Sequence, residues 1–208
     1  MSGSPLPEAT PPNLLYELPT ILERLNLPEL FATPQPLEVE LGCGDASFIA
    51  EYAQRHPERN FIGVERLLGR IRKLDKKGRR LGLRNLRGVR IENAYFLEWL
   101  LPRHAASAIH LYFPDPWPKL KHRRHRLVNE RFPVLAHAAL APGGRVFLRT
   151  DHEEYFWQMQ AVFTASPLFQ PAETPAELVA AVTDFERDFN AAGIPTNRAA
   201  FAALPAGL

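Results

Sequence analysis

Short apolar runs alternate with helical patterns along this chain, and that alternation restricts the fold more than any other feature. Five runs of three to six residues recur, at 37–41, 60–64, 89–91, 108–113 and 146–148. Between and after them, apolar side chains at helical spacing predict helices over 45–56, 66–83, 127–140 and 153–163. A strand, a helix and a second strand in succession favour a parallel pair with the helix on one face. We therefore predict an α/β fold with a mostly parallel sheet and helices on both faces.

The length of 208 residues fits one such domain. The first 36 residues are rich in proline and lack the alternation, so they are predicted to form an N-terminal arm, partly disordered, ahead of a domain over 37–208. The single cysteine, Cys43, excludes an internal disulfide and suggests no metal site. No apolar leader and no uncharged run of about 18 apolar residues is found. A cytoplasmic protein without membrane or metal partners is expected.

Positive charge is concentrated in two segments, although the net charge is only +2. Residues 66–90 hold eleven Lys or Arg and one acid, and residues 119–126 hold five more with two histidines. Such segments favour a polyanionic partner. A solvated helix face explains the first segment equally well.

A glycine-rich turn follows the first apolar run. Gly42 and Gly44 stand where the chain must turn sharply and let a ligand approach the backbone, which indicates a nucleotide-like cofactor. Ser47 occupies the place of the third glycine of a dinucleotide fingerprint, which disfavours NAD. The carboxylate of Glu40 suits a cationic aminopropyl group better than a pyrophosphate.

Two further polar residues follow the next runs. Glu65 can accept both hydroxyls of a ribose, and the amide of Asn93 can pair with an adenine edge. Either residue alone could be a surface or capping residue. Because the carboxyl ends of parallel strands meet at one edge of the sheet, their joint placement predicts a cofactor pocket there.

The segment Phe-Pro-Asp-Pro-Trp-Pro-Lys at 113–119 follows the fourth run. Three prolines fix φ at three positions and predict a rigid loop that presents Asp115 and Trp117. A proline-rich turn around a buried Trp117 is the structural alternative. The cationic side chains in and after this segment are suited to phosphates: Lys119, Lys121, His122, Arg123, Arg124 and Arg126.

This segment with its basic continuation resembles the bacterial tRNA (guanine-N7-)-methyltransferases. Supporting matches are Glu40 with its glycines, Glu65, Thr150-Asp151, Thr183 with Glu186, and Gly193 with Pro195 and Arg198, so that the resemblance spans roughly 37–201. It implies a Rossmann-like class I methyltransferase fold with a seven-stranded sheet, whose last two strands come from 145–201. It also implies methyl transfer from S-adenosylmethionine to N7 of a guanosine in the variable loop of tRNA.

The resemblance carries roles over to individual residues. Asp115 would be catalytic. S-adenosylmethionine would be bound by Glu40, Gly42, Gly44, Glu65, Asn93 and Asp115. The substrate would be bound by Lys119, Asp151, Thr183 and Glu186. RNA would be contacted by Lys121, His122, Arg123, Arg124 and Arg126.

The chain departs from the family pattern at three positions. Ala46 stands where many relatives have glycine, Asn93 where aspartate is common, and Lys121 where arginine is usual. A methyltransferase with another substrate and a non-catalytic RNA-binding module on the same fold are the alternatives. A monomer or weak homodimer is expected.

Overall fold

The computed structural model describes residues 13–205. Over these residues the chain forms one eight-stranded sheet in the order β1-β4-β3-β2-β5-β6-β8-β7. The strands are β1 (Leu15–Tyr16), β2 (Leu37–Leu41), β3 (Asn60–Val64), β4 (Leu86–Val89), β5 (Ala106–Tyr112), β6 (Leu140–Thr150), β7 (Phe169–Ala172) and β8 (Asn197–Ala203). β1 to β6 run parallel, and β8 is antiparallel to both β6 and β7. The predicted α/β class is confirmed.

Helices connect the strands and cover both faces of the sheet. They are α1 (Leu27–Leu30), α2 (Ser47–Arg55), α3 (Leu68–Arg80), α4 (Asn93–Tyr95), α5 (Phe132–Ala139), α6 (Glu153–Thr164), α7 (Ala176–Ala180) and α8 (Asp184–Ala191). A π-helical turn (Phe96–Leu100) continues α4, and a 3₁₀ segment (Leu120–His125) follows β5.

The core lies in two layers because β2 and β3 are buried on both faces. On one face, Phe48 of α2 and Ile71 of α3 pack against the sheet. On the other, the π-helical turn, α5 and α6 contribute Phe96, Phe132 and Tyr155. β3 shows this two-sided burial as a nearly continuous apolar run, which is typical of parallel strands, whereas β2 alternates its apolar residues with the buried Glu38 and Glu40.

The first strand, β1, comes from the predicted N-terminal arm. Leu15 and Tyr16 pair with Gly88 and Val89 of β4, and the buried Leu14 donates its N–H to Asp75 at 2.9 Å. Residues 13–36 therefore pack on the domain, whereas residues 1–12 of the arm lie outside the described residues. The expected seven strands are β2 to β8, and β1 extends the sheet by one strand.

β2 has β3 on one side and β5 on the other, so the direction of winding reverses at β2. Ligands of open α/β sheets bind outside the carboxyl ends of the strands at such a reversal. The loops after β2, β3 and β5 meet at this place.

Candidate active site

A cavity of about 400 Å³ opens at this edge of the sheet. Gly42 from the loop after β2, Glu65 from the loop after β3, Asn93 at the start of α4 and Asp115 from the loop after β5 all line it. Four of the residues predicted to bind a cofactor therefore lie around one pocket. Gly44 belongs to the same turn as Gly42 without lining the cavity.

The turn after β2 is held tightly against β3. The N–H groups of Gly42 and Cys43 donate to the carbonyl of Val64 at 2.8 and 2.9 Å. Gly42 has φ +74°, and a Cβ there would lie 3.5 Å from Asn93 Nδ2. Any side chain at position 42 would thus strain the backbone and protrude toward the amide opposite.

Glu65 and Asn93 are fixed by local hydrogen bonds. The Oε1 atom of Glu65 accepts the N–H of Leu67 at 2.7 Å, which orients the carboxylate on the pocket wall. Asn93 is the first residue of α4, which Glu92 caps by accepting the N–H groups of Ala94 and Tyr95 at 3.0 and 2.8 Å. The pocket thus presents a carboxylate and an amide in fixed positions.

Glu40 does not line the pocket, contrary to expectation. The alternation of β2 turns its side chain beneath α2, where it is 4% exposed and accepts a backbone hydrogen bond from Ile49. Burial raises its pKa to about 8, against the opposing influence of the Arg149 charge. Among the described residues its Oε2 atom has no hydrogen-bond partner. Glu40 thus lies behind the turn that carries Gly42, and its role as a cofactor ligand stays a prediction.

The Asp115 loop is pinned on both sides by arginines. The N–H of Phe113 donates to the carbonyl of Arg149 at 2.8 Å, and Arg126 Nε donates to the carbonyl of Pro116 at 2.7 Å. Phe113 and Trp117 have positive φ values of 50° and 43°, which are rare for such residues. Trp117 is 37% exposed, so the alternative of a turn around a buried tryptophan is wrong.

Most of the basic run is open to solvent. Lys119, Lys121 and Arg124 are exposed on or beside the 3₁₀ segment, His122 is partly exposed, and Arg123 pairs with Glu154 at 3.0 Å. These side chains begin at the mouth of the cavity, since Trp117 and His125 belong to its wall.

Arg126 differs from its neighbours and corrects the prediction of an RNA contact. It is 1% exposed. Its guanidinium binds Glu154 with two hydrogen bonds of 3.0 Å and Gln158 at 2.6 Å, and it lies over the ring of Tyr155. These groups leave no access for a phosphate, so Arg126 anchors the basic segment to α6.

The predicted substrate pair Thr183 and Glu186 is also turned inward. Thr183 caps α8 by accepting the N–H of Glu186 at 2.9 Å. Glu186 is fully buried and pairs with Arg149 at 3.0 Å and with Arg198. Both residues stabilise the start of α8 in this structure. Asp151 is partly exposed after β6 and does not line the cavity.

Arg149 and His110 were not among the residues predicted for the site. Arg149 lies in the apolar strand β6, where a charge requires a buried acid, and this was the available signal. His110 in β5 bonds Glu38 through Nε2 at 2.7 Å and the Tyr112 hydroxyl through Nδ1 at 2.8 Å. Glu38 in turn accepts from Arg59 at 2.8 Å. Burial acts to raise the pKa of Glu38, but its hydrogen bonds with His110 and Arg59 hold that pKa below the usual value. These groups form a polar network behind the site.

Between residues 13 and 205, no group of three or more His, Cys, Asp or Glu side chains is arranged to hold a metal ion. Over the same residues, every helix is too short or too polar to cross a bilayer.

Solved structures support the fold. The 16S rRNA methyltransferase KamB superposes with a TM-score of 0.59 over 88% of this chain and 95% of its own, at 15% identity. A 16S rRNA (adenine(1408)-N(1))-methyltransferase from Catenulisporales acidiphilia, solved with S-adenosylmethionine, gives a TM-score of 0.55 at 16% identity, over 86% of this chain and 91% of its own. At these identities the likeness concerns the fold alone.

Sequence comparisons are more specific. The tRNA (guanine-N(7)-)-methyltransferase of Rubrobacter xylanophilus is 39% identical over 70% of this chain and 65% of its own length. That of Geobacter metallireducens is 37% identical over 61% and 60%. The match thus spans less than two thirds of each of these relatives. The enzyme of the same name from Leifsonia xyli is 36% identical over 78% of this chain and 74% of its own. A family model described as "Putative methyltransferase" matches residues 34–199. The chain belongs to the tRNA (guanine-N7-)-methyltransferase family.

Proposed function

We propose that this protein transfers a methyl group from S-adenosylmethionine to N7 of a guanosine in the variable loop of tRNA. One observation carries the proposal. Gly42, Glu65, Asn93 and Asp115 surround a single pocket whose mouth continues into an exposed basic segment. The related tRNA (guanine-N(7)-)-methyltransferases indicate the substrate and the modified atom.

The pocket suits an adenosine-containing cofactor. Its volume of about 400 Å³ falls in the range of sites for small ligands. Glu65 would accept the ribose hydroxyls, Asn93 would pair with the adenine edge, and the Gly42 backbone would approach the aminopropyl chain. When bound, S-adenosylmethionine supplies an electrophilic methyl group on a sulfonium.

Methyl transfer to N7 needs little chemistry from side chains. The N7 lone pair is exposed on guanine, so the N7–C bond forms as the S–C bond breaks, and no proton has to be removed. Alignment of nucleophile, methyl and sulfur is the main requirement, and good alignment can contribute about 7 to 11 kcal/mol. Asp115 lies at the pocket mouth, where its negative charge would orient the guanine and stabilise the cationic purine.

Substrate contacts follow from the same placement. Asp151, at the end of the strand beside β5, would accept hydrogen bonds from N1 and the exocyclic amine of guanine. Phosphates would be held by the exposed Lys119, Lys121 and Arg124 and by the partly exposed His122 and Arg123. Arg66 and Arg70 line the cavity and continue this positive surface along α3. A cytoplasmic location and a monomeric or weakly dimeric state remain predictions.

The function is tested with purified protein, an unmodified tRNA transcript and methyl-labelled S-adenosylmethionine, followed by nucleoside analysis. Labelled 7-methylguanosine is expected, and none should form when 7-deazaguanosine replaces the target. Asp115→Asn should lower kcat strongly, because the variant lacks the negative charge beside the guanine. Glu51→Gln, at a partly exposed position on α2 that does not line the pocket, serves as the matched carboxylate control.

Other outcomes separate the alternatives. Label in a different nucleoside would overturn the assignment of N7. Cofactor binding without label in tRNA would favour a methyltransferase with another substrate. RNA binding without any cofactor binding would favour the non-catalytic module.

A further inference from the structure

Three phenylalanine rings form a partly exposed cluster beside the pocket, and the proposed chemistry does not use it. Phe113 lines the pocket, and Phe185 and Phe189 lie one turn apart on α8. Ring centroids are 5.6 Å apart for Phe113 and Phe185, 4.6 Å for Phe185 and Phe189, and 6.3 Å for Phe113 and Phe189. We call these three residues the aromatic platform.

The burial pattern of α8 is the reverse of an ordinary amphipathic helix. Its fully buried side chain is Glu186, whereas Phe185 is 55% exposed and Phe189 is only partly buried. Amphipathic helices normally bury their aromatic residues and expose their charges. Helix packing alone therefore does not explain why Phe185 faces solvent.

Arg149 holds both parts of the platform in place. Its carbonyl accepts the N–H of Phe113 at 2.8 Å. Its buried guanidinium donates to the carbonyl of Ala181 at 2.8 Å, to Glu186 at 3.0 Å, and to the carbonyl of Leu178. One residue thus fixes the start of the Asp115 loop against α8. A surface fixed in advance loses little conformational freedom when a ligand binds.

We propose that the aromatic platform stacks a base of the single-stranded tRNA loop that flanks the target guanosine. This inference rests on the proposed function. Protein surfaces that bind single-stranded RNA stack splayed bases on aromatic rings. Phe113 belongs to the pocket wall, whereas Phe185 lies outside the pocket. The base stacked on Phe185 would therefore be one next to the target guanine in the RNA chain.

The charges around Phe185 favour a base over a phosphate. Asp184 and Asp188 flank it on α8, and Asp184 is paired with Arg187. The exposed surface of α8 thus has no excess of positive charge, so phosphates would be held by the basic segment after Asp115. The platform also suggests another role for the segment Thr183 to Glu186, which was predicted to bind the substrate. Thr183 and Glu186 point inward, and Phe185 between them presents its ring to solvent.

The test compares Phe185→Ala, Phe185→Leu and Phe185→Trp with wild type. Loss of one base–aromatic stack should raise the tRNA KM of the alanine variant at least about fivefold, with S-adenosylmethionine affinity unchanged. The leucine variant keeps apolar volume without a π face and should behave similarly, whereas tryptophan should retain binding. Val179→Ala, an equally apolar exposed change on α7, is the matched control and should leave KM unchanged.

A second readout does not depend on turnover. The nucleotides flanking the target are replaced one at a time by 2-aminopurine, whose fluorescence reports stacking. Wild type should change the signal at one flanking position, and Phe185→Ala should abolish that change. If the alanine variant matches wild type in both KM and fluorescence, the platform proposal is overturned. If wild type forms no 7-methylguanosine, the proposed function fails instead, while the fluorescence experiment still tests the platform.

Discussion

At the residue scale, the buried polar side chains carry information that the sequence pattern does not. Glu40 and Arg126 stand in or beside motifs that predict ligand contacts, and the family resemblance adds Glu186 to them. The structure buries each of them: strand alternation turns Glu40 inward, helix phase turns Glu186 inward, and Glu154 and Gln158 of α6 hold Arg126. Gly42, Glu65, Asn93 and Asp115 could be predicted because each follows a strand end. The direction in which the side chains of Glu40, Arg126 and Glu186 point depends on residues that are distant in the sequence.

Glu40 makes stability depend on pH. Its pKa is raised from 4.5 to about 8 in the folded chain, so the folded state binds the proton more tightly than the unfolded state. The resulting stabilisation is complete below pH 4.5 and is lost as pH rises toward about 8. Wild type should therefore lose stability relative to Glu40→Gln by at most about 1.4 kcal/mol per pH unit across this window. Urea unfolding at several pH values measures the difference. Parallel pH profiles for the two proteins would contradict the buried, protonated carboxyl.

Glu186 gives a second prediction at this scale. Glu186→Gln leaves Arg149 and Arg198 without their carboxylate, and breaking a buried pair typically costs about 3 to 5 kcal/mol. Asp184→Asn, on the same helix but in an exposed pair, should change the free energy of unfolding by about 0.5 kcal/mol or less. Denaturant titration compares the two variants. If Glu186→Gln is as stable as wild type and only weakens tRNA binding, the direct substrate role suggested by the family resemblance would hold.

At the scale of elements, apolar runs predicted β2 and β3 well because these strands are buried on both faces. The predicted strand at 89–91 begins three residues after the start of β4 at Leu86, because Arg87 and Gly88 interrupt the apolar pattern. Gly88 is required by close packing, as a Cβ there would lie 2.9 Å from Leu15 and 3.1 Å from Leu74. β1 was missed altogether because two residues carry no periodicity. Whether such short segments form strands depends on the strands they pair with, and the sequence does not reveal that pairing.

The contact between β1 and α3 can be tested with a pair of glycines. A Cβ on Gly78 of α3 would overlap Leu14 Cδ1, whereas Gly69 of the same helix has open space. Gly69→Ala should stabilise the protein by up to about 1 kcal/mol through helix propensity. Gly78→Ala should lose that gain, since overpacking typically costs about 1 to 3 kcal/mol. Thermal and urea unfolding of both variants, with Leu14→Ala added to relieve the overlap, measure the coupling. Equal stabilisation by both alanines would show that β1 does not pack on α3 in solution.

At the scale of the whole molecule, cations gather around the pocket mouth, although the net charge is only +2. Arg66 and Arg70 line the cavity at the carboxyl edge, and the basic run Lys119 to Arg124 starts at its mouth. Arg145 lies toward the other end of β6, in register with Ala108 near the start of β5. A polyanion approaching the pocket therefore meets cations around its mouth, and tRNA affinity should fall with salt by a log–log slope of about 0.7 to 0.9 per phosphate contacted.

Lys121→Ala with Arg124→Ala should lower that slope by about 1 to 2, because two counterion-releasing contacts are removed. Arg145→Ala removes the same kind of charge from the opposite end and should leave the slope unchanged. Fluorescence anisotropy of labelled tRNA from about 50 to 200 mM salt measures all three. If Arg145→Ala lowers the slope as much as the double variant does, binding follows total charge, and the basic segment at the pocket mouth has no special part in holding the substrate.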